Sequence, residues 1–124
     1  MVDELKKDVM QLMYVGHIEE TVDVAGYKFL LCTLNTSEDI AVLNAVQHLT
    51  GAAQVAQMQV EILARAIKSV NGSPLESLNT SKEQNPSVVA KRVAVVSSWQ
   101  IGLMSKIFGE YNKLVERSNQ ALGL

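Results

Sequence analysis

Three side chains carry most of the acid–base and nucleophilic chemistry open to this chain: His17, Cys32 and His48. They are the only two imidazoles and the only thiol among 124 residues. A Cys–His pair is a nucleophile with its base, because the imidazole takes the thiol proton and leaves a reactive thiolate. A hairpin that returns on itself between residues 17 and 32 can bring His17 and Cys32 together. The two-residue period of strands does not require them to share a face. Cys32 also closes the apolar run Phe29-Leu30-Leu31-Cys32, the usual setting of a buried, inert thiol. The sequence therefore predicts no catalytic residue.

Metal chemistry fails on count. Two His and one Cys, without CxxC, HxxxH or DxDxDG spacing, fill neither a zinc shell nor a calcium loop. The glycines are scattered singly, so no phosphate-cradling loop is expected. Glu19 and Glu20 are adjacent on a strand-like run and point to opposite faces, which rules out a carboxylate dyad. No metal and no cofactor are expected.

Charge narrows the partner classes. Eleven basic against 13 acidic residues give a net charge of −2, too weak a field to drive binding to nucleic acid or an anionic membrane. The basic clusters are only pairs, Lys6-Lys7 and Lys91-Arg92, and read as solvated helix faces. Tyr14, Tyr27, Trp99 and Tyr111 are not interleaved with Lys or Arg, so the nucleic-acid footprint is missing. Lys91, Arg92 and Lys106 suit an acidic protein as well as a phosphate. No run approaches the roughly 18–20 apolar residues of a membrane span. The opening MVDELKKDVM has no apolar core of a signal peptide. With a lone cysteine, these features predict a soluble protein made inside a cell, with no nucleic-acid or membrane partner.

The elements that carry these residues read as follows. Residues 1–13 form a short helix, capped by Asp3, with Leu5, Val9 and Leu12 at helical spacing. Residues 14–34 change period to two and form a β-hairpin turned at Ala25-Gly26. Ile18, Val22 and Val24 share one face, interrupted by Glu20. Such a hairpin is marginal in water, so its apolar face must pack on a helix or a neighbouring sheet. Asn35-Thr36-Ser37-Glu38-Asp39 signals a helix start with Thr36 or Ser37 as its cap, and residues 37–70 are expected to be helical. Ile40, Leu43 and Val46 or Gln47 begin the stripe, and Gly51 breaks or bends it. The clearest amphipathic face is Val55, Met58, Ile62, Leu63, Ala66, Ile67 and Val70. Asn71-Gly72 and Pro74 end it, and residues 71–86 read as a loop. Residues 87–120 form a C-terminal helix, started by Asn85 or Ser87, or two helices if Ser97-Ser98 interrupts it. The fold class is mainly α with one N-terminal β-hairpin (α+β), a single domain over 1–124: short helix, hairpin, then three to four helices.

One bulk property points to function. The chain is 48% hydrophobic but only 5% aromatic and 19% charged, against about 25% charge in typical domains. Either a tight helical core absorbs this surplus, or self-association or a protein partner covers it. The candidate contact residues are Leu5, Val9, Leu12 and Met13 on the N-terminal helix, with the aromatics Tyr27, Phe29, Trp99 and Tyr111.

Three blocks, in order, carry a family resemblance: GHIEETVDVAGYKFLLCTLNTSE from Gly16, LARAIKSVNGSPL from Leu63 and IFGEYNKL from Ile107. Together they resemble tail assembly chaperones and small baseplate-hub assembly proteins of tailed bacteriophages. In that family a Gly-x-Val-Glu hairpin exits into a helix, a second helix ends in Val-Asn/Asp-Gly-x-Pro, and a Tyr-x-x-Leu helix closes the chain. Cys32 stands where that family often has Arg, which places a contact made there in doubt. The resemblance implies a non-catalytic assembly protein whose partners are tape-measure, tube or hub subunits, in a homo- or hetero-oligomer. It implies a location in the host cytoplasm during assembly, or in the tail or baseplate of the virion. The alternative is a small helical adaptor or regulator outside phages.

Overall fold

A computed structural model describes residues 15–80 and 86–124. The expected helix over 1–13, with Leu5, Val9, Leu12 and Met13, lies outside the described residues, as does Asn85. Two strands come first, β1 (Glu19–Val24) and β2 (Tyr27–Cys32). They pair antiparallel from Glu19↔Cys32 to Val24↔Tyr27. Ala25 and Gly26 turn the chain with φ of 54° and 84°, the left-handed pair that a two-residue hairpin turn requires. At the open end Thr33 closes the ladder twice. Its N–H donates to the Ile18 carbonyl, and its hydroxyl accepts from the Ile18 N–H, each at 3.1 Å.

Helices follow: α1 (Thr36–Val46), α2 (Gly51–Ala66), α3 (Val88–Ser97) and α4 (Ile101–Ala121). The fold is thus mainly helical with an N-terminal antiparallel hairpin followed by four helices. Asn35, one residue before the two expected caps, starts α1 through a full capping box. Its side chain accepts from the Glu38 N–H at 2.9 Å, and the Glu38 carboxylate accepts from the Asn35 N–H at 3.0 Å. Ser87 caps α3, accepting from the Ala90 N–H at 3.1 Å. Gly51, at φ 63°, separates α1 from α2. Ser98, whose hydroxyl donates to the Val95 carbonyl at 2.6 Å, ends α3. The C-terminal region is therefore two helices.

The structure departs from the helical expectation at residues 67–70. There the chain leaves α2 and forms a strand, β3 (Ile67–Val70), antiparallel to β2, with a short β4 (Ser73–Pro74) beside it. The sheet has four strands in the order β1-β2-β3-β4. Helical periodicity in Ile67-Lys68-Ser69-Val70 loses to tertiary pairing, because β2 has a second edge whose backbone groups need partners. Lys68 is the extra residue of a bulge, since Leu30 faces Ser69 and Leu31 faces Ile67. Asn71 locks the end, donating its N–H to the Lys28 carbonyl at 2.7 Å and accepting the Lys28 N–H on its side-chain oxygen at 2.8 Å.

The expected loop over 71–86 also holds structure. After β4 a 3₁₀ turn, Leu75–Leu78, drives Leu75 into the core, fully buried. Arg92 of α3 ties this turn down through Glu76, at 3.0 Å. The core gathers Phe29 and Leu31 from the sheet, Leu63, Ala64, Ala66 and Ile67 from α2 and β3, and Leu75. Val95 and Val96 from α3 and Met104, Ile107 and Leu114 from α4 complete it. Of the α2 stripe, Leu63, Ala66 and Ile67 are buried and Met58, Ile62 and Val70 half-buried, while Val55 is exposed. Glu61 is buried on that helix and paired with Arg65 at 2.8 Å.

Candidate interaction surfaces and a polar cavity

Glu20 is the residue that interrupts the apolar face of β1. It sits on the helix-covered side of the sheet and pairs with Arg117 of α4. Nearby, Gly16 meets the same helix at close quarters. Its φ is 83°, and an added Cβ would stand 3.0 Å from the Leu122 side chain and 3.1 Å from the Ser118 hydroxyl. That hydroxyl donates to the Gly16 carbonyl. A glycine is required here both for the left-handed backbone and for the close approach. These two contacts pin the hairpin to the last helix.

Between them, at the end of the sheet, lies a cavity of about 740 Å³, lined among others by His17, Cys32, Glu38, Asp39, Lys68 and Tyr111. The structure thus brings His17 and Cys32 to one cavity wall, but in different settings. Cys32 is 1% exposed, and burial pushes its thiol above the ordinary range, with the Lys68 ammonium opposing the rise. A thiol kept protonated is a poor nucleophile. His17 is exposed and contacts Glu19 at 3.5 Å. Burial, then the neighbouring Glu38 charge, raises the Asp39 carboxyl. Burial, then the charges of Asp39, Cys32 and Glu38, pushes the Tyr111 hydroxyl up to about 12. His48 lies exposed beyond the end of α1, away from this wall. Among the described residues no group of three or more His, Cys, Asp or Glu is placed to hold a metal ion.

The aromatic candidates separate by burial. Tyr27 is half exposed at the hairpin turn, where a partner can reach it. Phe29 and Tyr111 are 2% and 7% exposed and belong to the core of the chain itself, so neither is free to contact another protein. The reason for Phe29 is its strand parity, which aims it under Trp99, edge to face at 5.8 Å between ring centroids. Trp99 is half-buried in that contact. Tyr111 lies on the inner stripe of α4 with Ile107 and Leu114.

The exposed apolar surface sits elsewhere, on helices. In α1 the expected stripe divides: its last member Val46 is buried, together with Val42 from outside it, while Ile40 and Leu43 are 52% and 56% exposed. The signal was present, since Val42 and Val46 are four apart and Ile40 and Leu43 three apart, two apolar faces on one helix. Val55 of α2, Val88 and Val89 of α3 and Ile101 of α4 are exposed as well. Among the described residues no helix is long and apolar enough to cross a membrane. No family model, curated protein or solved structure matches the chain.

Proposed function

We propose that the chain is a non-catalytic assembly protein of a bacteriophage tail or baseplate, working by protein–protein docking. The observation that carries the docking half is the outward face of α1, where Ile40 and Leu43 stand in water although Val42 and Val46 already anchor the helix. A helix with a second apolar face is expected to bury it against another chain. The buried Cys32, whose thiol burial pushes above its ordinary range, is a poor nucleophile, which supports a non-catalytic reading of that residue. The phage half rests on the resemblance of the three sequence blocks. Its partners would be tape-measure, tube or hub subunits, and it would work in the host cytoplasm or remain in the virion. The gene's neighbours test the phage reading: tape-measure and tube genes beside it are expected, and their absence would leave a general adaptor. Mass spectrometry of purified particles then separates the two roles. A stoichiometric 13.6 kDa component marks a baseplate part, and its absence marks a chaperone.

A further inference from the structure

We infer that the outer edge of β1 is a docking edge for an extended segment of another protein that carries two basic residues four positions apart. This rests on the docking reading above and specifies one surface for it. The sheet order makes β1 an edge strand, and among the described residues no strand lies beyond it. The opposite edge is β4, only two residues long and ending in Pro74, which lacks an N–H and cannot extend a ladder.

The hydrogen-bond phase decides which groups are free. The tight turn closes on Val24 and Tyr27, and the ladder bond from Thr33 to Ile18 follows the same phase. In an antiparallel pair these bonds recur at every second residue, so Glu20 and Val22 point their backbone groups at β2. Glu19, Thr21 and Asp23 therefore point theirs away, at the open edge. The side chains of those three are exposed, on the face opposite the helices. The edge thus offers three backbone docking positions flanked by two carboxylates, Glu19 and Asp23.

Charge selects the occupant. A second copy of β1, paired antiparallel in the register that overlaps all three positions, centres on Thr21. That places Glu19 opposite Asp23 of the other copy, twice, and like charges directly opposite destabilise a strand pair. A foreign strand with Lys or Arg at both of those positions, and a β-branched residue between them facing Thr21, pairs every group. The geometry of strand addition then supplies main-chain bonds for affinity and alternate side chains for selectivity.

The test uses the full chain, labelled with ¹⁵N, and two synthetic peptides, Ser-Lys-Thr-Val-Thr-Lys-Ser and its counterpart with both Lys replaced by Glu. The basic peptide is expected to shift the amides of Glu19, Thr21 and Asp23 and to bind at least about tenfold more tightly than the acidic one at low salt. Thr21→Pro removes an outward N–H without touching the β1–β2 ladder and should abolish binding. Should that variant fail to fold, E19K/D23K serves instead and should reverse the preference toward the acidic peptide. Equal binding of both peptides, no binding of either, or an unchanged preference in E19K/D23K overturns the inference. So does exchange protection of the Glu19, Thr21 and Asp23 amides in the free chain, which would show the edge already covered. Co-purification with tail subunits but no response to the basic peptide would sink the edge alone. The reverse pair of results would sink the phage reading and leave the edge standing.

Discussion

Leu75→Ala tests whether the turn after β4 is part of the core or a dispensable connection. The loop expected over residues 71–86 gives Leu75 no packing partner, yet it is 0% exposed in the fold, gathered with Ile67, Val95 and Val96 in one cluster. Truncating a fully buried Leu loses its transfer free energy and leaves a cavity, about 3 kcal/mol with a range of about 2–5. For a chain of 124 residues the unfolding entropy is about 260 cal/mol/K, so each kcal/mol moves the melting temperature by about 4 °C. The expected drop is about 12 °C by differential scanning calorimetry. Leu78, three residues on and 41% exposed, is the control. Leu78→Ala should cost about 0.5 kcal/mol or less, a shift of about 2 °C. A Leu75→Ala drop no larger than that of Leu78→Ala would refute the packing described for this turn.

Three further outcomes follow from named groups. Ala25 holds φ at 54° in the hairpin turn, so Ala25→Gly should raise stability by about 0.5–1 kcal/mol in urea unfolding, and a loss of stability would contradict the turn geometry. The Tyr111 hydroxyl, held up to about 12 by burial against an ordinary 10, is protonated in the fold where the unfolded chain has lost its proton. Its contribution is therefore complete below about pH 10 and fades as pH rises toward 12. Tyr111→Phe should flatten that part of the stability profile, and an identical slope in both proteins would show that Tyr111 titrates freely. Cys32, buried and protonated, should react with a thiol-labelling disulfide only upon unfolding. Labelling at the rate of a free thiol in the native chain would reopen the Cys–His chemistry.

The parts of the fold that were legible are those set by neighbours in sequence. Ala25-Gly26 announced a two-residue turn, and the alternation of Ile18, Val22 and Val24 named the inner face of β1. Even the intruding Glu20 kept its parity, and its reason appeared only with Arg117, some hundred residues away. Helix starts were local too, since Asn35 and Glu38 settle α1 within four residues. What could not be read depended on distant partners. Ile67 and Val70 continue a helical stripe in sequence, and only the unfilled edge of β2 turns them into a strand. Leu75 sits in a polar, Pro-containing stretch, and its burial depends on α3 packing over it. On α1 the stripe through Ile40 and Leu43 competes with one through Val42 and Val46, and the sequence alone does not rank two apolar faces of one helix. The same ambiguity hid the candidate site, because the sequence puts Phe29 and Tyr111 among the contact residues and gives no reason to add Ile40 and Leu43 to them.

The most direct test of the docking account is co-expression of the full chain with tape-measure, tube and hub subunits of a tailed phage, followed by size-exclusion chromatography with light scattering. The account predicts a stable complex with at least one of them, lost or weakened at least about tenfold in an Ile40→Asp/Leu43→Asp variant that still melts like the parent. A chain that elutes alone as a monomer in every combination, or a complex indifferent to that double substitution, would contradict it.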